Sequence, residues 1–216
     1  MKTILTLLLS LTILGSQAQD VEVLSGSIED MMSIKFWELN VDYADLQITE
    51  RKVSLGSESD YKYKIEEEIA KESEQKAESW EKQYEAKKAK TYPTKFSVSF
   101  NKILLGSRQI MIATESYMDQ VEGEVRVIPE KLELGWKKGR RMGEALLTAR
   151  VEFYNEAGDL LFSMRLTNCP GVPSGSGWID ASDWYATYQR VNESFAKCGK
   201  EAAIYIDDNF PKKKKK

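Results

Sequence analysis

Seven apolar residues near the end of the chain, Trp184, Tyr188, Val191, Phe195, Cys198, Ala202 and Tyr205, recur alternately four and three apart. That spacing keeps them on one face of an α-helix, and so long a stripe needs a flat apolar partner to leave water. Such a partner lies just upstream. Leu147, Ala149, Val151 and Phe153 alternate with more polar residues, and Leu160, Phe162, Met164 and Leu166 do so again after Asn155-Glu156-Ala157-Gly158-Asp159. Two runs of period two joined by five residues with a glycine predict an antiparallel hairpin. A helix laid on that hairpin, with Ser182 placed to cap its start, is the minimum core this sequence specifies.

Earlier elements extend the same layers. Trp37, Leu39, Val41 and Tyr43 alternate with Glu38, Asn40 and Asp42, which predicts a strand buried on one face. From Tyr61 to Lys90 there is neither glycine nor proline, and Glu, Lys, Ala and Gln dominate. The segment reads as one long exposed helix with Tyr61, Ile65, Ile69, Ala77, Trp80 and Tyr84 inward and mutually cancelling charges outward. Pro93 is expected to end it, and Phe96, Phe100, Ile103 and Leu104 predict a second short helix, with a strand as the competing reading. Gln109–Thr114 and Val121–Ile128 read as strands, the latter ended by Pro129. The fold class is therefore α/β (α+β): a mixed, largely antiparallel sheet covered by a long charged helix and an amphipathic C-terminal helix.

The termini set the expected boundaries. Residues 1–18 combine Lys2, an apolar run from Ile4 to Leu14 and then small residues, with Ser16 and Ala18 placed for cleavage. That is the pattern of a signal peptide, and the apolar run is shorter than the roughly 18 residues that span a bilayer. Residues 19–33 read as a flexible tether, 34–210 as a single α/β domain and 211–216 as a disordered lysine tail. The expected location is periplasmic or secreted, with no membrane span once the signal is removed. Formal net charge is -3 although Lys212 to Lys216 add five positive charges, so the folded part is acidic and nucleic acid is not an expected partner.

Histidine is absent, which excludes Ser-His-Asp triads, Cys/His dyads and histidine-ligated zinc while leaving carboxylate chemistry open. No cofactor or metal signature is present. Asp42 with Asp45, and Asp180 with Asp183, lack the spacing of a calcium loop and read as turn and cap formers. The stretch from Pro170 to Trp178 is glycine-rich but lacks the Gly-Lys-Ser/Thr ending of a phosphate loop, leaving Trp178 as a candidate contact residue. Lys137, Lys138, Arg140 and Arg141 place four cations within five positions of an acidic chain, the candidate site for an anionic glycan, a lipid headgroup or an envelope protein. Cys169 and Cys198 form a possible disulfide in an oxidising compartment. Against it, Cys198 lies some 24 Å along the final helix, far from Cys169 if that helix runs straight back from the strand end. A small buried core residue is the other reading of Cys198.

Val41-Asp42-Tyr43-Ala44-Asp45-Leu46 after the first strand, Trp80 in the charged helix, Phe100-Asn101, and the run from Tyr188-Gln189-Arg190 to Gly199-Lys200 together resemble uncharacterised secreted envelope proteins of Gram-negative bacteria. More remotely the layout is similar to the α/β domains of the TolB amino-terminal domain and the curli secretion lipoprotein CsgG. The resemblance implies binding or assembly rather than catalysis, and it carries over no catalytic residue. The chain departs from the lipoproteins in having no cysteine after the apolar leader. The expectation is an exported, non-enzymatic binding or assembly module, with a carboxylate-dependent, carbohydrate-active hydrolase as the alternative.

Overall fold

The computed structural model describes residues 20–138, 141–171 and 183–211, with side chains omitted at 136–138, 141–142 and 183–187. The chain opens with β1 (Asp20–Gly26) and a single helical turn, α1 (Ile28–Met31), followed by β2 (Phe36–Val41), β3 (Gln47–Glu50) and β4 (Val53–Ser57). Three helices come next, α2 (Glu58–Ala70), α3 (Glu74–Ala86) and α4 (Tyr92–Arg108), the last two joined by a π-turn at Lys87–Thr91. The remainder is β5 (Met111–Ile112), β6 (Gly123–Glu133), β7 (Trp136–Lys138), β8 (Arg141–Gly143), β9 (Ala145–Asn155), β10 (Leu160–Gly171) and α5 (Asp183–Asn209).

One mixed sheet runs in the order β1-β10-β9-β6-β2-β5, with β3 on β6 and β4 on β3. β1, β10, β9 and β6 pair antiparallel, whereas β2 is parallel to both β6 and β5. The predicted hairpin forms with its turn closed by Asn155, whose side-chain oxygen accepts the Asp159 N–H at 2.8 Å, and by Gly158 at φ 85°. β2 likewise forms where alternation predicted it, with Trp37 fully buried. Odd-numbered residues of β9 face the helices: Leu147, Ala149, Val151 and Phe153 are all inaccessible to solvent. Phe153 meets Trp37 edge-on at 5.4 Å between centroids and also touches Phe100 of α4 and Phe162 of β10. The α5 stripe is buried at Tyr188, Val191, Phe195, Cys198 and Ala202, so the helix packs as its spacing demanded. Buried residues from Ile28 to Ile206 join one hydrophobic core.

The alternate residues of the same strands carry an ionic network. Arg165 holds Glu130 through two guanidinium nitrogens at 2.9 and 3.2 Å and reaches Glu22 at 3.4 Å. Arg150 lies 3.2 Å from Glu152, and Tyr154 donates to the same carboxylate. Away from the register shifts in β6 and β10, both faces of the sheet are thus specified by a period of two.

Four expectations need correction. Asp20 to Ser33 is not a tether: β1 adds an edge strand to β10, and α1 inserts Ile28 and Met31 into the core. Val21, Val23 and Leu24 have no helical period and only a short alternation, so their strand is stabilised by pairing rather than by local pattern. The charged segment is not one helix but the antiparallel pair α2–α3, turned at 71–73, where Ser73 accepts the Lys76 N–H as N-cap. Lys62 crosses the pair to Glu81 and Glu85, each at 2.9 Å.

Pro93 does not end its helix either. It sits in the first turn of α4 directly after the π-turn, whose wider ring accommodates the lost N–H and the clash with the preceding turn. Pro129 lies inside β6 rather than after it. There the neighbour on one side changes from β2, paired up to Val127, to β3, paired from Lys131, and the ladder to β9 shifts register. No ladder hydrogen bond is needed from Pro129 in that gap.

Candidate functional site

β4 ends in a capping box that launches α2. The Ser57 hydroxyl accepts the Asp60 N–H at 3.2 Å, and the Asp60 carboxylate accepts the Ser57 N–H at 2.9 Å. The Ser57 hydrogen bond also holds the Asp60 carboxyl below its usual range. This cap fixes Glu58 in the first turn, where it receives the Lys88 ammonium at 2.8 Å. Lys88 is carried by the π-turn, an arrangement that displaces side chains from ordinary helical positions. Its ammonium lies 5.1 Å from the ring centre of Tyr43 and 5.5 Å from that of Tyr84. Tyr43 closes the arrangement by donating its hydroxyl to the Lys88 carbonyl at 3.1 Å.

These groups border a cavity of about 20 Å³ where the β2–β3 connection, the α2–α3 pair, α4 and α5 converge. That is room for roughly one water molecule. Tyr43, Tyr61, Tyr84, Tyr92 and Tyr188 line it with leucines of β6 and β9 below. The rings are mutually packed: Trp80 stacks on Tyr84 at 5.1 Å and Tyr92 on Phe195 at 4.9 Å. Burial, reinforced by the Glu58 charge, pushes the Tyr84 phenol far above its ordinary range. Burial raises the Tyr43, Tyr61 and Tyr92 phenols as well, and raises Tyr188 to about 12. All five are neutral hydroxyls at physiological pH. Burial opposes ionisation of Glu85, but the Lys62 hydrogen bond and the Lys88 and Lys62 charges outweigh it and hold that carboxyl low.

The arrangement orients the chain's own Lys88 ammonium between Glu58 and the rings of Tyr43 and Tyr84, and its phenols are poor acid-base groups near neutrality. Glu58 and Lys88 are both only 16% exposed at the side chain, so neither can be removed cheaply. Lys88→Met is expected to destabilise the fold by about 1–3 kcal/mol, because Glu58 is left half-buried without its partner. A Glu58→Gln/Lys88→Met pair should cost less than the sum of the single changes in denaturant titration. Additive losses would show that the two charges are not coupled.

Tyr61, Tyr84, Tyr92 and Tyr188 come from four separate helices and Tyr43 from the connection after β2; the sequence pattern marks Tyr43 in the first alternation, Tyr61 and Tyr84 on a helix face and Tyr188 in the final stripe, with nothing to mark Tyr92. The available signal was the tyrosine that ends the alternation of β2, Tyr43, but nothing local connects it to the others. A second concavity, an open groove of about 330 Å³ between α2 and α3, is lined by Tyr63, Glu66, Glu67, Glu78 and Glu81.

The predicted site residues are distributed differently. Lys137 and Lys138 lie on β7 and Arg141 on β8, a two-stranded antiparallel hairpin in which Lys138 pairs with Arg141 and Lys137 with Met142. The basic segment therefore carries two paired strands. Arg140 and Trp178 lie outside the described residues, as do Ser182 and Asp180, and the side chain of Asp183 is likewise not described. Gly135, at φ 73°, pinches the neck of the hairpin, with space for a Cβ blocked by the Gly143 carbonyl oxygen at 2.5 Å. The neck is anchored by Arg190 of α5, which donates to the Leu134 carbonyl at 3.3 Å. Asp42 acts as the turn former expected of it, accepting the Ala44 N–H at 3.0 Å.

Cys169 and Cys198 are not far apart. Both are buried thiols in hydrogen-bonding contact. The helix does run back along β10, but its first turns extend beyond the strand end. Arg190 and Ser194 lie level with Gly171, so Cys198 reaches Cys169 one helical turn later.

No protein-family model matches the chain, and no curated protein matches it. Among solved structures, the PelC dodecamer from Paraburkholderia phytofirmans is similar at 11% identity and a TM-score of 0.34, covering 83% of this chain and 96% of that one. A variant of the same dodecamer gives a TM-score of 0.33 at 11% identity, covering 83% of this chain and 97% of that one.

Proposed function

We propose that the chain is an exported, non-enzymatic binding or assembly module of a bacterial-type envelope that engages an anionic glycan or lipid headgroup through the β7–β8 hairpin. The observation that carries this reading is the hairpin itself. Its two three-residue strands carry Lys137, Lys138 and Arg141, with Arg140 next to Arg141 in sequence, in a chain of net charge -3. A tip of opposite sign to the rest of the molecule attracts an anionic surface and orients the protein on it. The leader pattern of residues 1–18 and the resemblance to secreted envelope proteins support the compartment. Among the described residues no helix is long and apolar enough to cross a membrane. The hydrolase alternative gains no support from the cavity, whose neighbouring carboxylates, Glu58 and Glu85, are both engaged by lysines.

Replacing Lys137, Lys138, Arg140 and Arg141 together by glutamine is expected to weaken binding to anionic phospholipid vesicles, or to a soluble polyanionic glycan, by at least tenfold at low salt. Each cation near an anionic surface contributes about 1 kcal/mol, and the effect should vanish as salt is raised. Making the same comparison with Lys212 to Lys216 changed to serine separates the hairpin from the terminal lysines. Equal binding by parent and variant would refute the assignment.

A further inference from the structure

We infer that Cys169 and Cys198 form a disulfide that fastens α5 to the end of β10, made during folding by exchange with a dithiol–disulfide oxidant. The pairing is built by a local irregularity of β10. Phe162, Met164 and Leu166 face the helices, so continued alternation would turn residues 168 and 170 inward and Cys169 away. Instead the ladder to β9 shifts between Leu166 and Cys169. Asn168 takes a left-handed conformation at φ 55° and donates its N–H to the Thr148 hydroxyl at 3.3 Å. The extra residue reverses the parity, and Cys169 becomes fully buried against α5.

On the helix side, Cys198 follows Ser194 by one turn, and the Ser194 backbone already touches the strand at Gly171. Strand and helix are therefore held in backbone contact beside the two thiols. The hydrogen bond with Cys169, together with burial, keeps the Cys198 thiol well above its ordinary range. In the folded protein neither sulfur is accessible, so exchange takes place before α5 seats. One thiolate attacks the oxidant's disulfide and releases one oxidant thiolate. The second cysteine thiolate then attacks the protein sulfur of that mixed disulfide, forming the Cys169–Cys198 bond and releasing the oxidant as a dithiol. The chain loses two protons and two electrons, and the oxidant gains them.

Occurrence of the bond in a cell rests on the exported reading; its formation during refolding does not. The full chain, reduced and denatured, is refolded in a glutathione/glutathione disulfide buffer, with protein refolded under reductant as reference. The expected product is a monomer two hydrogens lighter, with no cysteine alkylated after denaturation. Closing a loop of about 30 residues lowers the unfolding equilibrium constant by roughly a few hundred-fold relative to the reduced protein. Cys169→Ser should abolish both effects while the reduced variant still folds. Two alkylatable thiols after oxidative refolding, linked dimers as the only oxidised species, or an oxidised monomer no more stable than the reduced one would each overturn the inference.

Discussion

Gly171→Ala is expected to unseat α5 and lower the free energy of unfolding by about 3 kcal/mol or more. A Cβ at this position would lie 1.8 Å from the Arg190 carbonyl oxygen and 2.7 Å from the Ser194 nitrogen. Both are backbone atoms of a helix and cannot rotate aside. Ordinary overpacking in a core costs about 1–3 kcal/mol because side chains adjust. Here the helix itself must retreat from the strand, separating the thiols of Cys169 and Cys198 and loosening the Arg190 bond to Leu134. Denaturant titration followed by far-ultraviolet circular dichroism measures the loss. Gly106→Ala is the control: it lies in α4 with nothing within 4 Å of the added carbon, and should be neutral or stabilising by up to about 1 kcal/mol. Equal midpoints for Gly171→Ala and the parent would mean that the close approach is not maintained in solution.

Phe153→Ala should cost about 3–5 kcal/mol, the usual loss for deleting a fully buried aromatic ring. The ring contacts residues from three other elements, Trp37 of β2, Phe100 of α4 and Phe162 of β10. No single neighbour can collapse into the space without leaving another. Phe153→Leu retains most of the volume and should lose less than half as much. The fluorescence of Trp37, whose ring is fully buried, should shift toward that of a solvated indole in the alanine variant. A loss of 1 kcal/mol or less for Phe153→Ala would show that the core is more plastic than its packing implies.

What could be read in advance follows the range of the interactions. The β9–β10 hairpin was legible because a period of two and a five-residue turn with Asn155 and Gly158 are decided within twenty or so residues. The buried face of α5 was legible for the same reason. The charged segment is legible as helical but its turn is not, since Ser73 is one of two serines in it and becomes a cap only when α2 and α3 fold back on one another. Pro93 and Pro129 misled because proline's cost depends on whether its missing N–H has a use. A π-turn in one case, and a gap between two partner strands in the other, removed that use.

The candidate sites divide in the same manner. The four cations of residues 137–141 are visible as composition, while the placement of Lys137, Lys138 and Arg141 on a paired hairpin required the pinch at Gly135 and the anchor from Arg190. The tyrosine cavity was invisible, because its members are spread along the chain and meet only where four helices and the connection after β2 converge. Helix length alone leaves the proximity of the cysteines open, since where α5 begins relative to the strand end is decided by packing.

By itself the amino-acid sequence determined the one-sided apolar pattern of β2, β9, β10 and α5, and it ruled out histidine chemistry, because residue identity and short periods depend on neighbouring positions alone. The tertiary structure decided strand order, the parallel placement of β2, the inward turn of Cys169 and the meeting of the tyrosines. Those depend on which surfaces come together, and the free energy of such contacts is a property of pairs of segments that no single segment encodes.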